Sequence, residues 1–322
     1  MFVGRGFVGR GEENNMPQGI VRMLVKWLEY RHLTLEGERY TIVNPLSFLF
    51  RRSGIVRLSN GYEIHYNKKN KEDILNVIAF ALRNGIRFGE KENQWKLDPA
   101  KGIIETHQGI KFRINSVGLL DETFLMQVHF SGFDLKDKIV VTGGAYKGDT
   151  PLFYSYYGAK VYGFEPDPNS FLLALENLKL NPDLSQNIVL KSYAIGKDEE
   201  ILFPVNDDSG GSSIYEMGNR RTLKIKSISV TTILKVFSIS NPYLLDLDIK
   251  GSEFTVIEDS SISSFQKIRI EYSPYLLKSP EKNLGYLVSK LRSYGFNRIR
   301  IYKHNDRDRF DLLNHGVLEA ER

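Results

Sequence analysis

One stretch decides the fold of this chain, Ile139-Val-Val-Thr-Gly-Gly-Ala-Tyr-Lys-Gly-Asp-Thr150. It reads as a short apolar strand, a glycine turn and the start of a helix. A second short strand, Val161-Tyr-Gly-Phe164, ends in Glu165, 21 positions after Gly144. Doubly wound α/β domains build nucleoside pockets from these parts, because the turn lets backbone approach the ligand and the acid accepts hydrogen bonds from ribose hydroxyls.

Composition and charge are those of an ordinary globular protein. Of the 322 residues, 41% are hydrophobic and 26% are charged, and no run approaches the roughly 18 apolar residues of a membrane-spanning helix. The absence of cysteine excludes disulfides, Cys-ligated metal sites and thiol nucleophiles. The net charge is +5, and residues 1–60 hold nine Lys or Arg against five Glu. This basic segment could attract nucleic acid, although a solvated face is the simpler explanation; we expect a cytoplasmic protein.

Four regions follow one another along the chain. Residues 1–19 contain a repeated Phe-Val-Gly-Arg and predict a flexible tail, and residues 304–322 predict a charged, frayed tail. Residues 20–135 predict an accessory α+β region without a catalytic motif. Its predicted elements are helices at 20–34, 74–82 and 121–130 and β-hairpins at 55–64 and 104–113. The remaining region, 136–303, holds the stretch that decides the fold.

Strands and helices alternate from Lys138 onward. The predicted strands are 139–142, 160–164, 188–192, 243–249, 267–272 and 297–303. The predicted helices are 149–157, 168–180, 231–237, 252–258 and 281–294. Residues 199–230 interrupt this pattern with β-prone segments around a polar loop at 207–213. The alternation predicts an α/β fold with a mainly parallel sheet, whose ligands bind at the carboxyl ends of the strands.

The residues of the glycine turn discriminate between nucleoside cofactors. Gly143 and Gly148 fit the first and third glycines of the dinucleotide pattern G-x-G-x-x-G. Ala145 stands at its second glycine, where the backbone must approach a pyrophosphate closely. A phosphate-cradling G-x-x-x-x-G-K-[ST] is also absent, since Asp149 follows Gly148. S-adenosylmethionine, a sulfonium nucleoside without phosphate, fits these constraints.

Five motifs follow one another in residues 137–272. The first is Val140-Val-Thr-Gly-Gly-Ala-Tyr-Lys-Gly-Asp-Thr150, and the second runs from Val161 to Pro168. The others are Asn187-Ile188 with Ala194-Ile-Gly196, then Ser209–Ser213, then Asp246-Leu-Asp-Ile-Lys-Gly-Ser-Glu253 with Ile270–Tyr272. Together they resemble the motifs of FkbM-type methyltransferases. The resemblance implies the Rossmann-like, doubly wound, mainly parallel sheet of class I methyltransferases, S-adenosylmethionine as cofactor, and methylation of a hydroxyl on a sugar, glycan or small metabolite.

The chain departs from the family pattern at four positions. Thr142 stands where the family has Asp at the end of the first strand, and Gly143 replaces a β-branched residue. Asp246 and Lys250 stand where the family has Lys and Glu, which suggests a charge exchange that keeps the pair neutral. The carboxylate missing at Thr142 would favour the cationic part of the cofactor, and a hydrogen bond to a charged group of this kind contributes about 1.5–3 kcal/mol.

Cofactor-binding roles follow from the resemblance and from the strand ends. Glu165 is the predicted ribose ligand, and Ala194 is predicted to flank the adenine together with Ile195. The predicted cofactor-binding residues are Thr142, Gly143, Gly144, Ala145, Gly148, Asp149, Glu165, Pro166, Ala194 and Asp248.

Carboxylates near the later strand ends are the catalytic candidates, because an acceptor hydroxyl does not ionise at neutral pH without a base or a metal. Asp248 is the predicted base, and Glu253 is predicted to orient it or to bind the acceptor. Glu271 is predicted to be a substrate-site acid or the partner of a buried base. None of the six histidines belongs to an H-x-x-x-H pair, so the sequence predicts no metal motif. Magnesium held by carboxylates stays open.

Two alternatives remain. An RNA methyltransferase would use the basic N-terminal region, although the fourth strand ends in Asp246-Leu-Asp248 instead of an Asn-Pro-Pro-Tyr-type motif. A catalytically degenerate binding protein would explain Thr142 as the record of lost activity. Cofactor binding and salt-sensitive RNA binding distinguish these alternatives from a hydroxyl methyltransferase.

Overall fold

The computed structural model describes residues 41–91, 94–129, 132, 134–204, 221–277, 279–304 and 310–322. The predicted tail at 1–19, helix at 20–34 and polar loop at 207–213 lie outside the described residues. The chain forms two compact units, Met1–Gly102 and Ile103–Arg322. In the part of the chain that the structure describes, no helix has the length and apolarity needed to cross a membrane.

The first unit contains a β-hairpin and one long helix. Its elements are α1 (Pro45–Phe50), β1 (Gly54–Arg57), β2 (Glu63–Tyr66), α2 (Lys71–Arg83) and β3 (Lys96–Asp98). β1 and β2 pair antiparallel, which confirms the predicted hairpin at 55–64. α2 contains the predicted helix at 74–82 and buries Ile74, Val77 and Ile78. Their spacing of three and four residues places them on one face of the helix.

The second unit alternates strands and helices. Its strands are β4 (Ile103–Glu105), β5 (Lys111–Arg113), β6 (Ile139–Gly143), β7 (Lys160–Phe164), β8 (Ile188–Lys191), β9 (Ala194–Ile195), β10 (Glu199–Pro204), β11 (Thr222–Ile228), β12 (Leu244–Leu247), β13 (Lys267–Tyr272), β14 (Arg298–Tyr302) and β15 (Gly316–Glu321). Its α-helices are α3 (Leu120–Phe124), α4 (Asp149–Tyr156), α5 (Pro168–Lys179), α6 (Pro182–Ser185), α7 (Val230–Val236), α8 (Glu253–Val256) and α9 (Leu284–Ser293). Short 3₁₀ turns occupy Ile114–Leu119, Ser260–Ser264 and Pro274–Leu276.

A seven-stranded sheet organises this unit, in the order β14-β15-β13-β12-β6-β7-β8. The pairs from β13 to β8 are parallel, whereas β15 runs antiparallel to both β13 and β14. The strand order reverses beside β6, and open α/β sheets bind their ligands at such a switch point. The predicted Rossmann-like, doubly wound, mainly parallel sheet is confirmed.

The centre of the sheet is buried on both faces. Every residue of β12 is buried, and so are Val140 to Gly143 of β6. Strands covered on both faces read as continuous apolar runs, which explains the apolar character of these segments. Thr142 and Asp246 are the polar side chains within these two runs, and each lies beside the other on adjacent strands. A smaller sheet, in the order β10-β11-β9, follows β8.

The frayed tail predicted at 304–322 is wrong for Gly316–Glu321, which forms β15 inside the sheet. Val317 and Leu318 are fully buried against the core. Glu319 is also buried, and its carboxylate accepts a hydrogen bond from Tyr302 Oη at 2.6 Å and pairs with Arg300. The charged residues that suggested a solvated tail therefore include residues of a strand. The carboxylate of Glu319 in this strand is neutralised by Arg300 of the neighbouring strand β14.

The hairpin β4–β5 belongs to the second unit, so the boundary lies earlier than the predicted one between residues 135 and 136. The backbone N–H of Lys111 donates to Oδ1 of Asn181 at 2.9 Å, and that of Arg113 donates to Oδ1 of Asn177 at 2.8 Å. These side chains satisfy backbone groups on the edge of β5 and tie the hairpin to α5 and the residues after it.

The helix predicted at 121–130 is shorter than expected. α3 ends at Phe124, and Gln127 adopts a φ of 51°. That value lies in the left-handed region, which an α-helix of L-residues does not continue through.

Candidate active site

The turn after β6 brings two backbone segments into close contact. Gly144 has a φ of 81°, and a Cβ at this position would lie 2.1 Å from the backbone oxygen of Asp248. The N–H groups of Gly144 and Ala145 both donate to the carbonyl of Phe164, each at 3.0 Å. Only glycine fits at position 144, because a side chain there would meet backbone that cannot move aside.

Gly148 and Asp149 form the junction between this turn and α4. Gly148 has a φ of 85°, and a Cβ there would lie 3.1 Å from Leu178 of α5. Asp149 is 4% exposed, and its Oδ2 accepts a hydrogen bond from Thr123 Oγ1 at 2.6 Å. Burial raises the pKa of the Asp149 carboxyl, although the bond from Thr123 opposes the shift. The side chain of Asp149 is therefore engaged with α3.

Glu165 follows β7 and is held by the backbone. Its Oε2 accepts a hydrogen bond from the N–H of Tyr146 at 2.7 Å, and its Oε1 accepts one from the N–H of Asp167 at 2.8 Å. Burial raises the pKa of Glu165 to about 8, and these two amide donors oppose the increase. Each carboxylate oxygen keeps a second lone pair for a further donor.

A cavity of about 530 Å³ lies over the carboxyl ends of β6, β7 and β12. This volume is within the range of small-molecule and cofactor sites, about 300–1,000 Å³. The predicted site residues that line it are Gly144, Glu165, Pro166, Ala194, Asp248 and Glu271. Ile195 and Ile249 add apolar surface, and Glu122, Lys250, His304 and His315 add ionisable groups.

The other predicted cofactor-binding residues are buried behind the cavity wall, namely Thr142, Gly143, Ala145, Gly148 and Asp149. Thr142 is 0% exposed, and its Oγ1 lies 3.4 Å from Oδ2 of Asp246. Asp246 also accepts a hydrogen bond from Tyr154 Oη at 2.8 Å and pairs with Arg269. The departure from the family pattern at position 142 thus lies in a buried polar cluster.

Glu253 braces the loop that follows β12. It is 0% exposed, its Oε2 accepts a hydrogen bond from the N–H of Gly251 at 2.6 Å, and its Oε1 accepts one from the N–H of Ser273 at 2.7 Å. Burial raises the pKa of Glu253 to about 7 against the effect of these two donors. Its carboxylate connects the β12 and β13 ends from behind the cavity lining.

Lys250 joins the two carboxylates that the cavity exposes at this end. Its Nζ lies 2.6 Å from Oε1 of Glu271 and 3.1 Å from Oδ1 of Asp248. Burial alone would lower the pKa of Lys250, but Asp248 and Glu271 raise it well above its ordinary value. Burial would likewise raise the pKa of Glu271, and the charges of Lys250 and His304 lower it instead. Lys250 has a φ of 44°, so the loop holds it in a strained conformation.

Glu122, His304 and His315 also line the cavity, and the sequence did not predict them as site residues. The pKa of Glu122 is raised to about 7, first by burial and then by the nearby charges of Glu271, Asp121 and Asp248. The two histidines lie in the segment interpreted as a tail. The alternation of apolar and charged residues in Val317-Leu-Glu-Ala-Glu321 was the signal for a strand that would have placed them at a sheet edge.

Comparison with known proteins gives one family match. A family model described as the methyltransferase FkbM domain matches residues 143–298. No curated protein matches the chain.

Several solved structures share parts of the fold at low identity. Precorrin-6y C5,15-methyltransferase from Geobacter metallireducens GS-15 is 10% identical, with a TM-score of 0.35 over 62% of this chain and 87% of its own. Magnesium protoporphyrin IX methyltransferase from Synechocystis PCC 6803, with bound SAM, is 12% identical, with a TM-score of 0.38 over 65% and 83%. The METTL16 MTase domain is 11% identical, with a TM-score of 0.38 over 97% and 95%.

Proposed function

We propose that this chain, whose residues 143–298 match the methyltransferase FkbM domain, methylates a hydroxyl group on a sugar, glycan or small metabolite. The chain is an S-adenosylmethionine-dependent methyltransferase. The hydroxyl acceptor and the roles of individual residues are the proposed part.

The residues around the cavity fit S-adenosylmethionine. Gly144 lines the cavity without a side chain, so the backbone of the turn is open to a ligand. Glu165 presents a carboxylate in the lining, where it can accept hydrogen bonds from ribose hydroxyls. Ala194 and Ile195 offer apolar surface for the adenine. The position of Glu165, fixed by two backbone amides, is the observation that carries this proposal.

The charge of the cavity favours an acceptor without phosphate. Among the described residues, six acidic side chains and two lysines line it. Burial raises the pKa of Glu165 to about 8 and that of Glu122 to about 7, so the other four acids carry most of the negative charge at neutral pH. Such a surface attracts a sulfonium cofactor and repels a nucleic-acid backbone, whose binding depends on neutralising phosphates with Lys and Arg. This balance favours a neutral hydroxyl compound over the RNA alternative.

S-adenosylmethionine supplies a methyl group on a positively charged sulfur, and transfer breaks the S–C bond as the O–C bond to the acceptor forms. We propose Asp248 as the group that accepts the hydroxyl proton during this step, because its carboxylate lies in the cavity at the end of β12. Lys250, 3.1 Å from Asp248, holds that carboxylate in place and balances its charge. The second proposed acid, Glu271, positions Lys250 from the other side at 2.6 Å.

Glu253 is proposed as a positioning residue. Its two hydrogen bonds hold Gly251 and Ser273, which flank the segments that carry Lys250 and Glu271. Glu253 therefore acts through the loop, and its own carboxylate does not line the cavity.

The buried position of Thr142 argues against the degenerate-protein alternative. A carboxylate lost from the cavity wall would remove a cofactor contact, but the side chain at 142 faces Asp246 in the core. Asp248 and Glu271, the carboxylates proposed for the reaction, both remain in the lining.

The proposal is tested by titrating S-adenosylmethionine and S-adenosylhomocysteine in a calorimeter. We expect both to bind the wild type, and Glu165→Gln to weaken binding by about tenfold to a hundredfold, the equivalent of about 1.5–3 kcal/mol. Glu176→Gln on the exposed face of α5 is the matched control and should leave the affinity unchanged. An absence of binding to the wild type at millimolar cofactor would contradict the assignment.

The acceptor class is tested by the release of S-adenosylhomocysteine from mixtures with sugars, polyhydroxylated metabolites or RNA. Turnover with a hydroxyl compound supports the proposal, and Asp248→Asn should lower the rate at saturating cofactor by about 10²–10⁴-fold. Turnover with RNA alone would favour the nucleic-acid alternative.

A further inference from the structure

Three side chains with metal-binding atoms meet where β13, β14 and β15 come together. Glu271 is the penultimate residue of β13, His304 follows β14, and His315 precedes β15. Because β15 lies antiparallel between the other two strands, its beginning meets their ends. One ligand atom from each side chain lies within 4.8 Å of the other two. We propose that Glu271, His304 and His315 bind one divalent transition-metal ion in the cavity wall.

The distances agree with ligands that share one ion. Nε2 of His304 lies 3.0 Å from Oε2 of Glu271, and Nε2 of His315 lies 3.9 Å from Oε1 of Glu271. With bonds of about 2.0–2.2 Å from a metal to imidazole nitrogen or carboxylate oxygen, neighbouring ligand atoms lie about 3–4 Å apart. The three side chains therefore need only small adjustments to close on an ion.

The ring of His315 is oriented for coordination through Nε2. Its Nδ1 lies 3.1 Å from the backbone oxygen of Tyr272 and 3.3 Å from Oγ of Ser273. When Nδ1–H donates to the carbonyl, the lone pair resides on Nε2, the atom that faces Glu271. Metal-binding histidines in proteins usually make such a contact through the second nitrogen.

The carboxylate of Glu271 is a second observation that favours a bound cation. It is 2% exposed, and within the described residues its Oε2 accepts no hydrogen bond, although Nε2 of His304 is 3.0 Å away. A buried carboxylate oxygen without an aimed donor is costly. A metal ion between the carboxylate and the imidazole would satisfy Oε2 of Glu271.

The ammonium of Lys250 competes with a metal ion for the carboxylate of Glu271. Its Nζ is 2.6 Å from Glu271 and 3.1 Å from Asp248, so the ammonium can remain with Asp248 when an ion binds Glu271. The carboxylate of Asp248, which pairs with the same ammonium, adds negative charge nearby and favours a divalent ion. The ammonium thus lowers the affinity of the site without filling it.

The donor set selects the class of metal. Two imidazoles and one carboxylate suit Zn²⁺, Mn²⁺, Co²⁺ or Ni²⁺, whereas Mg²⁺ and Ca²⁺ prefer oxygen ligands. Because both histidines line the cavity, an ion that they held would be accessible from it. An ion there would lower the pKa of a bound hydroxyl and so assist its deprotonation by Asp248. This consequence rests on the proposed methyl transfer, but the site itself does not.

The test is a titration of the untagged, chelator-treated chain with Co²⁺, followed by visible absorption in the absence of cofactor and acceptor. We expect saturation at one equivalent, displacement by Zn²⁺ and no displacement by equimolar Mg²⁺. His304→Gln and His315→Gln should each weaken Co²⁺ binding by about a hundredfold or more, since loss of an outer partner alone costs about 10–100-fold. His65→Gln, an exposed histidine of the first unit, is the control.

Lys250→Met provides the opposite test. Removal of the ammonium beside Glu271 should raise Co²⁺ affinity by at least about tenfold. Far-ultraviolet circular dichroism checks that each variant is folded. Absent binding, or binding that the two histidine variants retain, overturns the site. If Co²⁺ binds and S-adenosylmethionine does not, the metal site is supported and the proposed function is contradicted. If S-adenosylmethionine binds and Co²⁺ does not, the proposed function is supported and the metal site is contradicted.

Discussion

Nη1 of Arg269 lies 2.7 Å from Oδ1 of Asp246, with both side chains buried in the middle of the sheet. In the FkbM pattern an Asp at position 142 would stand beside a Lys at position 246, because these positions are partners on β6 and β12. Here the carboxylate belongs to β12 and its cation to β13, where Arg269 is the partner of Asp246. The charge pair therefore joins β12 to β13 in this chain, whereas the family pattern would place it between β6 and β12. Asp246 is neutralised by Arg269, so a charged residue at position 142 is not required.

Arg269→Met should lower the free energy of unfolding by about 3–5 kcal/mol, because it leaves the Asp246 carboxylate buried without its cation. Urea unfolding followed by circular dichroism measures the loss. Arg113→Met removes an exposed pair with Glu176 and should cost at most about 1 kcal/mol. Equal, small losses in the two variants would show that the buried pair is not required.

Thr142→Asp restores the residue of the family pattern but should destabilise this chain by about 3 kcal/mol or more. The new carboxylate would lie beside Oδ2 of Asp246, which is 3.4 Å from the present hydroxyl. Thr142→Val removes only that hydroxyl and should cost about 1 kcal/mol. Thermal unfolding and cofactor titration check both variants. A gain in S-adenosylmethionine affinity for Thr142→Asp would contradict this account of the substitution.

Gly144→Ala should abolish cofactor binding, because the methyl group would collide with the backbone oxygen of Asp248 at 2.1 Å. Gly109→Ala separates this collision from backbone strain, since Gly109 has a similar φ of 82° and no atom within 4 Å of an added Cβ. The control should lose about 1 kcal/mol of stability and keep its cofactor affinity. Calorimetric titration of both variants gives the comparison, and equal affinities would refute the steric argument.

Cofactor affinity should rise with pH through the titration of Glu165. Burial raises the pKa of this carboxyl to about 8 in the free protein, with Asp167 and Asp248 adding to the increase. Ribose hydroxyls donate to the ionised form, so binding lowers the pKa and releases a proton. Affinity should then increase by up to about tenfold per pH unit below the pKa and level off above it.

The pH prediction is checked by calorimetry from about pH 6 to about pH 9 in wild type and Glu165→Gln. The variant lacks the titrating carboxyl, so its affinity should be nearly independent of pH. An equal slope in both proteins would assign the dependence to another group, such as Glu122, which also lines the cavity and has a pKa raised to about 7.

The sequence predicted those strands and turns whose conformation depends on neighbouring residues. The apolar run Ile139–Gly143 and the turn at Gly144 were placed correctly from their sequence, because strand burial and a positive φ leave a mark within a few residues. The ion pair between Asp246 and Arg269 was not predicted. It depends on the register of two parallel strands that are joined by a crossover. His304 and His315 were missed for the same reason, because β15 returns between two strands that lie earlier in the chain.

The position of β15 in the sheet determines the order in which parts of the fold can form during translation. β13 and β14 are both made before the strand that separates them, so a nascent chain can extend the sheet as far as β13 but cannot complete its edge until Glu321 has been added. The approach of His315 to Glu271 depends on that last insertion. During translation, the part of the cavity beside Glu165 can therefore form first, and the part lined by Glu271, His304 and His315 is assembled last.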